Sequence, residues 1–122
     1  MGFYIYMFIC ALILPACMLV LGQIWKSAPP GKINWAYGYR TRRSMASKAA
    51  WDFAHGFIGA LLRRIGLIAL AASAAVMLVL GTITMEMIPV AVAGVVLVVL
   101  QFIPFIASAV LTERALKEKF GN

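Results

Sequence analysis

The chain has 122 residues, of which 64% are hydrophobic and only 12% are charged. A soluble domain of this size could not bury so much apolar surface, so the composition excludes an ordinary soluble globular protein and indicates an integral membrane protein. The formal net charge of +7 lies beside apolar segments, so we expect attraction to anionic lipid headgroups and no direct nucleic-acid partner.

The first apolar segment runs from Phe3 to Ile24 and is long enough to cross a hydrocarbon core of about 30 Å as a helix. It contains no charged residue, and Trp25 follows it where an interfacial aromatic anchor would lie. No basic residue precedes the apolar run, which is also long for the core of a signal peptide. We therefore interpret it as a retained transmembrane helix.

The connection over residues 26–64 is basic and rich in aromatic residues. Two prolines and a glycine, Pro29-Pro30-Gly31, end the first helix. The connection then carries more aromatic residues than a flexible loop usually does: Trp35, Tyr37, Tyr39 and Trp51. From Ser44, a predicted N-cap, apolar residues recur at helical spacing as far as Arg63. This pattern predicts an amphipathic helix at the membrane interface, between the first and second spans.

Two further spans are predicted, Ile65 to Met85 and Ile88 to Leu111, joined by a short turn around Glu86. The second span carries small residues one turn apart, which allow close helix approach and favour a homodimer. Gln101 is the only amide inside a span, and it suits an interhelical hydrogen bond or a place in a substrate path.

The basic residues fix the expected topology. All eleven lie in residues 26–64 and in the tail, residues 112–122, whereas the N-terminus and the Glu86 turn hold neither lysine nor arginine. The positive-inside rule therefore places the N-terminus outside and the C-terminus in the cytoplasm. We expect one all-α domain over residues 1–122, with three transmembrane helices and an interfacial helix, in the bacterial cytoplasmic (inner) membrane.

The sequence holds no recognisable catalytic or metal-binding constellation. His55 is the only histidine, and the spaced cysteine, histidine and glutamate motifs that bind zinc or carry out acyl transfer do not occur. Asp52 lies three residues before His55, a spacing that helices produce by chance. We predict no cofactor, no metal and no enzymatic activity.

The chain resembles the SdpI family of small bacterial integral membrane proteins. The resemblance extends over nearly the whole chain, including a closing pattern around Pro104, Glu113, Leu116 and Phe120. Its most specific part is a signature in the basic connection, which we take with Glu113 as the candidate functional cluster: Asn34, Tyr37, Gly38, Tyr39, Arg40, Thr41, Ser44, Trp51, His55 and Glu113.

The resemblance implies a function in immunity and signalling. The family's namesake protects a producing bacterium from its own secreted peptide toxin and holds a cytoplasmic repressor at the membrane. By this resemblance, the expected partners are an antimicrobial peptide toxin and a cytoplasmic regulator. Two alternatives stay open: an oligomeric small transporter, and a membrane enzyme acting on lipid headgroups through Arg40, His55 and Glu113.

The signature also allows a structural hypothesis. Arg40 offers a planar fork of donors that suits a carboxylate or a phosphate, and Glu113 is expected at similar membrane depth. We expect Arg40, His55 and Glu113 to form a polar cluster that pins the connection beneath the helices. The alternative is that Arg40 contacts a ligand or a lipid phosphate.

Overall fold

The computed structural model describes residues 1–121 and contains three helices. They are α1 (Gly2–Ser27), α2 (Lys48–Ile83) and α3 (Met87–Phe120). Each is long and apolar enough to cross a membrane, and no strand occurs in the described range. The prediction of an all-α, multi-pass membrane protein with three spans is therefore confirmed.

The separate interfacial helix was a wrong prediction, because its residues form the first half of α2. This helix runs without a break from Lys48 to Ile83, and its 36 residues span about 54 Å, far more than the hydrocarbon core. The predicted N-cap was also wrong: Ser47, not Ser44, accepts the hydrogen bond from the Ala50 N–H at 3.0 Å. Nothing around Arg64 interrupts the helix, since that stretch contains no proline and consists mostly of good helix formers.

The predicted tail is likewise part of a helix. α3 continues beyond Leu111 to Phe120, so residues 112–120 extend the helix past the predicted third span, as α2 begins before the predicted second span. Both helices therefore project at the same end, which carries most of the lysine and arginine residues and which we call the basic end.

Glycines bring α1 and α2 into direct backbone contact. A Cβ atom added to Gly59 would lie 2.8 Å from the backbone nitrogen of Lys26, and one added to Gly66 would lie 2.5 Å from the backbone nitrogen of Leu19. Gly22 faces the same seam, where an added Cβ would meet backbone atoms of α2. Small residues permit this close approach between membrane helices. The seam fixes α1 against α2 up to the point where α1 ends.

Gln101 links all three helices near the middle of the bundle. Its side-chain Nε2 donates to the Ala11 carbonyl and to the Ser73 hydroxyl, both at 2.8 Å. Ala11 is the residue whose carbonyl would normally accept from position 15, and Pro15 has no N–H to donate. Gln101 therefore supplies the donor that Pro15 lacks. Of the two interpretations of Gln101, an interhelical hydrogen bond or a place in a substrate path, the first is confirmed.

The buried side chains form two clusters along the bundle. One lies toward the N-terminus of α1 and includes Tyr4, Met7 and Met77. The other lies at the basic end and joins Trp25 and Leu116 to a residue of the connection between α1 and α2, Tyr39. The second cluster is the platform on which the family-like signature is held.

Candidate functional site

Residues 28–47, which we call the cap, connect α1 to α2 at the basic end. Asn34 organises its first half: the side-chain Oδ1 accepts hydrogen bonds from the Ala36 and Tyr37 N–H groups, at 2.9 and 2.7 Å. Its Nδ2 donates to the Lys32 carbonyl at 2.9 Å. An asparagine that bonds the backbone ahead of it in this way mimics a turn. Asn34 thus shapes the chain between the prolines and the signature aromatics.

His55 is the anchor of the signature. Its Nε2 accepts the Tyr39 N–H at 2.8 Å, and its Nδ1 lies 2.8 Å from the Trp51 carbonyl. The ring is fully buried. An imidazole that accepts at Nε2 carries its proton on Nδ1, so the geometry assigns a neutral ring that donates to Trp51.

Gly38 allows the cap to approach His55 closely. Its φ of 122° lies in a region that L side chains rarely adopt. A Cβ atom at this position would also lie 2.8 Å from His55 Nε2 and 2.9 Å from the Trp51 ring. The glycine is therefore required both by the backbone conformation and by the lack of space.

Trp51 of the signature and Trp25 of α1 enclose the histidine. The Trp51 ring centre lies 4.4 Å from that of His55, and the Trp25 ring centre lies 5.1 Å away on an edge-to-face contact. Both indoles are also hydrogen-bonded: Trp51 Nε1 donates to the Pro30 carbonyl at 2.8 Å and Trp25 Nε1 to the Tyr37 hydroxyl at 3.0 Å. These contacts tie the cap to α1 and α2 at once.

Thr41 and Ser44 close the second half of the cap. The Ser44 hydroxyl accepts the Thr41 N–H and donates to the Tyr39 carbonyl, each at 2.8 Å, while the Ser44 N–H donates to the Thr41 hydroxyl at 3.1 Å. Ser44 is fully buried. The reciprocal bonds hold the backbone on both sides of Arg40.

Tyr39 joins the cap to α3. Its hydroxyl donates to the Ala109 carbonyl at 3.2 Å. Burial, reinforced by the negative charge of Glu113, raises the pKa of Tyr39 to about 12, so the phenol keeps its proton and its role as a donor at physiological pH. Through Tyr39 the cap contacts α2 with its backbone and α3 with its side chain.

The expected cluster of Arg40, His55 and Glu113 does not assemble. Arg40 is exposed and lines a cavity of about 580 Å³ together with residues 33–35, 41, 42 and 45. Glu113 lines a different cavity of about 500 Å³, beside Arg42, Arg43 and Ala46. Within residues 1–121 no ion pair joins Arg40 to Glu113, and His55 bonds only to the backbone of Trp51 and Tyr39.

The burial and hydrogen bonding of His55 limit the chemistry that it can carry out. Both ring nitrogens are engaged and the ring is inaccessible, so the residue cannot exchange a proton with a substrate in this conformation. Among the described residues, no group of three histidine, cysteine, aspartate or glutamate side chains could hold a metal ion.

Several residues of the site escaped the sequence-based prediction. Pro30 serves as the acceptor for Trp51, and Ala109 as the acceptor for Tyr39, in both cases through a backbone carbonyl that side-chain patterns cannot indicate. Arg42 lines both cavities, although the sequence indicates only its contribution to the topology. Its spacing of two residues from Arg40 was the available signal.

Comparisons with known proteins fall on this part of the chain. Residues 31–112, more than half of the chain, match the SdpI/YfhL protein family. A segment of 51 residues is 41% identical to the uncharacterized protein YfhL of Bacillus subtilis (strain 168), covering 42% of this chain and 46% of that protein. The match thus spans less than half the length of that relative, and no solved structure matches. The chain belongs to the SdpI/YfhL family of membrane proteins.

Proposed function

We propose that this protein is an immunity or signalling protein of the bacterial inner membrane, which gives resistance to an antimicrobial peptide toxin and holds a cytoplasmic regulator at the membrane. The observation that carries the proposal is the rigid cap, held by hydrogen bonds from both sides, which presents Arg40 outward rather than using it internally. A residue that merely braced the fold would be expected to have a partner within the chain.

The orientation in the proposal follows from charge. The basic end faces the cytoplasm, since lysine and arginine concentrate on the cytoplasmic side of membrane proteins. The cap is then accessible to a cytoplasmic regulator, and the short turn around Glu86 is exposed on the outside. Fusing a reporter enzyme that is active on only one side of the membrane to each end tests this orientation.

Binding fits the geometry better than transport. The buried polar side chains within the spans include Gln101 and Ser73, which are bonded to one another, and Ser108, which donates to the Phe105 carbonyl of its own helix. They do not form a polar route across a single copy of the chain, as a transporter would need. The cap, by contrast, offers an accessible polar surface.

The experiment is to express the chain in a host that is sensitive to the peptide toxin encoded near its gene. We expect increased tolerance, and we expect Arg40→Ala to abolish it while the amount of protein in the membrane is unchanged. Arg114→Ala is the matched control, because Arg114 is an exposed arginine near the basic end but outside the cap. Absence of protection by the unmodified chain, or equal loss in both variants, would contradict the proposal.

A further inference from the structure

Two arginines of the cap line one cavity. Arg40 and Arg42 are both exposed, and they share the cavity of about 580 Å³ with Trp35 and Asn34. None of the described residues that line it is acidic, and within residues 1–121 neither arginine takes part in an ion pair. The cavity therefore carries two positive charges and no acidic side chain among its described lining residues.

The polar neighbours of these arginines are already used. Asn34 bonds the backbone with both side-chain atoms, and Thr41 is bonded to Ser44 through its N–H and its hydroxyl. Among the lining side chains of residues 1–121, the two guanidinium groups and the exposed Trp35 indole remain for a ligand. Guanidinium groups bind carboxylate and phosphate through paired, charge-assisted hydrogen bonds, so the ligand is an anion.

The backbone that carries the arginines is fixed in advance. Tyr39, directly before Arg40, is held by His55 and by Ala109, and Thr41, directly after it, is held by Ser44. A ligand binding here does not have to order the main chain, which lowers the entropic cost of binding. Such preorganisation is what a specific site needs and what a simple surface charge lacks.

The cap also lies at the depth of the lipid headgroups. The Tyr39 hydroxyl reaches Ala109, close to the end of the apolar part of α3. Arg40 follows Tyr39 directly, so its guanidinium lies within reach of the headgroup layer, which adds about 5–8 Å to each side of the hydrocarbon core.

Trp35 adds an exposed apolar surface to the cavity. It lines the same cavity and is 84% exposed, and Ile33 beside it is 37% exposed. An exposed tryptophan next to an exposed aliphatic residue is typical of a segment that inserts into the membrane interface, where the indole sits among the headgroups.

We propose that the cavity of Arg40 and Arg42 binds the phosphate of an anionic lipid in the leaflet next to the basic end, with Trp35 inserted beside it. This inference goes beyond the proposed function, because it requires neither a toxin nor a regulator.

The test is lipid binding to the purified full chain in uncharged detergent, counted by native mass spectrometry. The probes are phosphatidylglycerol and phosphatidylcholine with identical acyl chains. We expect the unmodified chain to retain one phosphatidylglycerol with at least tenfold preference over phosphatidylcholine. The double variant Arg40→Ala and Arg42→Ala should lose this preference.

The matched control replaces Arg63 and Arg64 with alanine, since these exposed arginines lie on α2 and outside the cap. It should keep the preference. A further pair, Arg40→Lys and Arg42→Lys, preserves the charge and the fold and should weaken phosphatidylglycerol binding several-fold through loss of the fork. Circular dichroism checks that each variant folds. If the alanine variant does not fold, the lysine variant tests whether the guanidinium groups bind the phosphate.

Four results would overturn the proposal. The alanine or lysine pair could bind phosphatidylglycerol as the unmodified chain does, or the Arg63 and Arg64 control could lose as much, which would indicate generic attraction. Inorganic phosphate at millimolar concentration could displace the lipid completely, which would indicate a site for free anions. A glutamate-rich peptide could bind more tightly than the lipid, which would indicate an acidic protein partner.

Discussion

The hydrogen bond between Gln101 and the Ala11 carbonyl gives a sharp prediction about the stability of the bundle. Replacing Gln101 with leucine removes the donor from both Ala11 and Ser73. Hydrogen bonds between membrane helices contribute on average about 0.6 kcal/mol each and at most about 1.7 kcal/mol. Since two bonds are lost in a buried position, we expect Gln101→Leu to lower the free energy of unfolding by about 1–3 kcal/mol.

The cost of Gln101→Leu should depend on the residue at position 15. Pro15→Ala provides an N–H at position 15, which can donate to the Ala11 carbonyl as in any regular helix. Gln101→Leu then leaves only the Ser73 hydroxyl without its donor. The cost of Gln101→Leu should therefore be smaller in the Pro15→Ala background, by roughly the 0.6–1.7 kcal/mol that one such bond contributes.

Reversible unfolding in mixed micelles, followed by circular dichroism, measures the four free energies of this double-mutant cycle. Gln23→Leu serves as the control, because Gln23 also lies on a helix but is exposed, and it should change the stability little in either background. An equal cost of Gln101→Leu with Pro15 and with Ala at that position would refute the reasoning that Gln101 replaces the missing N–H.

Three further predictions concern the cap and the seam between α1 and α2. Gly38→Ala should destabilise the fold by at least about 1–3 kcal/mol, since its backbone conformation and the buried His55 ring exclude a Cβ, as thermal unfolding would show. Gly59→Ala should weaken the seam strongly, whereas Gly56→Ala on the same helix, with open space around it, should stabilise by about 0.5–1 kcal/mol. Acidification below about pH 6.5 should destabilise the chain, because a proton on His55 Nε2 occupies the lone pair that accepts the Tyr39 N–H. A free energy of unfolding that does not change between pH 8 and 5 would contradict this.

The number of spans could be predicted because it depends on length and apolarity alone. A run such as Phe3 to Ile24 must cross the membrane whatever its neighbours do, and α1 occupies it with small differences at the ends. The boundary between a span and an interfacial helix is a different kind of question. Both halves of α2 are helical by local preference, no proline separates them at Arg64, and Gly59 and Gly66 on either side of that point both pack against α1, so they form one continuous helix.

The members of the cap could be predicted more fully than their contacts. Gly38, Trp51 and His55 were all expected in one cluster, and the structure brings these three together. Their hydrogen bonds, however, go mostly to backbone carbonyls and N–H groups. Every residue has such groups, so the sequence holds no signal that marks the carbonyl of Pro30 or Ala109 as an acceptor.

The predicted ion pair between Arg40 and Glu113 was wrong, and the reason also explains why the cap exposes Arg40. Opposite charges at similar depth are expected to attract, but the backbone at Arg40 is fixed on one side by Tyr39 and on the other by Thr41. The fixed backbone limits the directions that the Arg40 side chain can take, and Arg40 lines a cavity that Glu113 does not line. A surface ion pair contributes little, about 0–1 kcal/mol, so it could not override several buried hydrogen bonds. The charge of Arg40 therefore has no oppositely charged partner within residues 1–121.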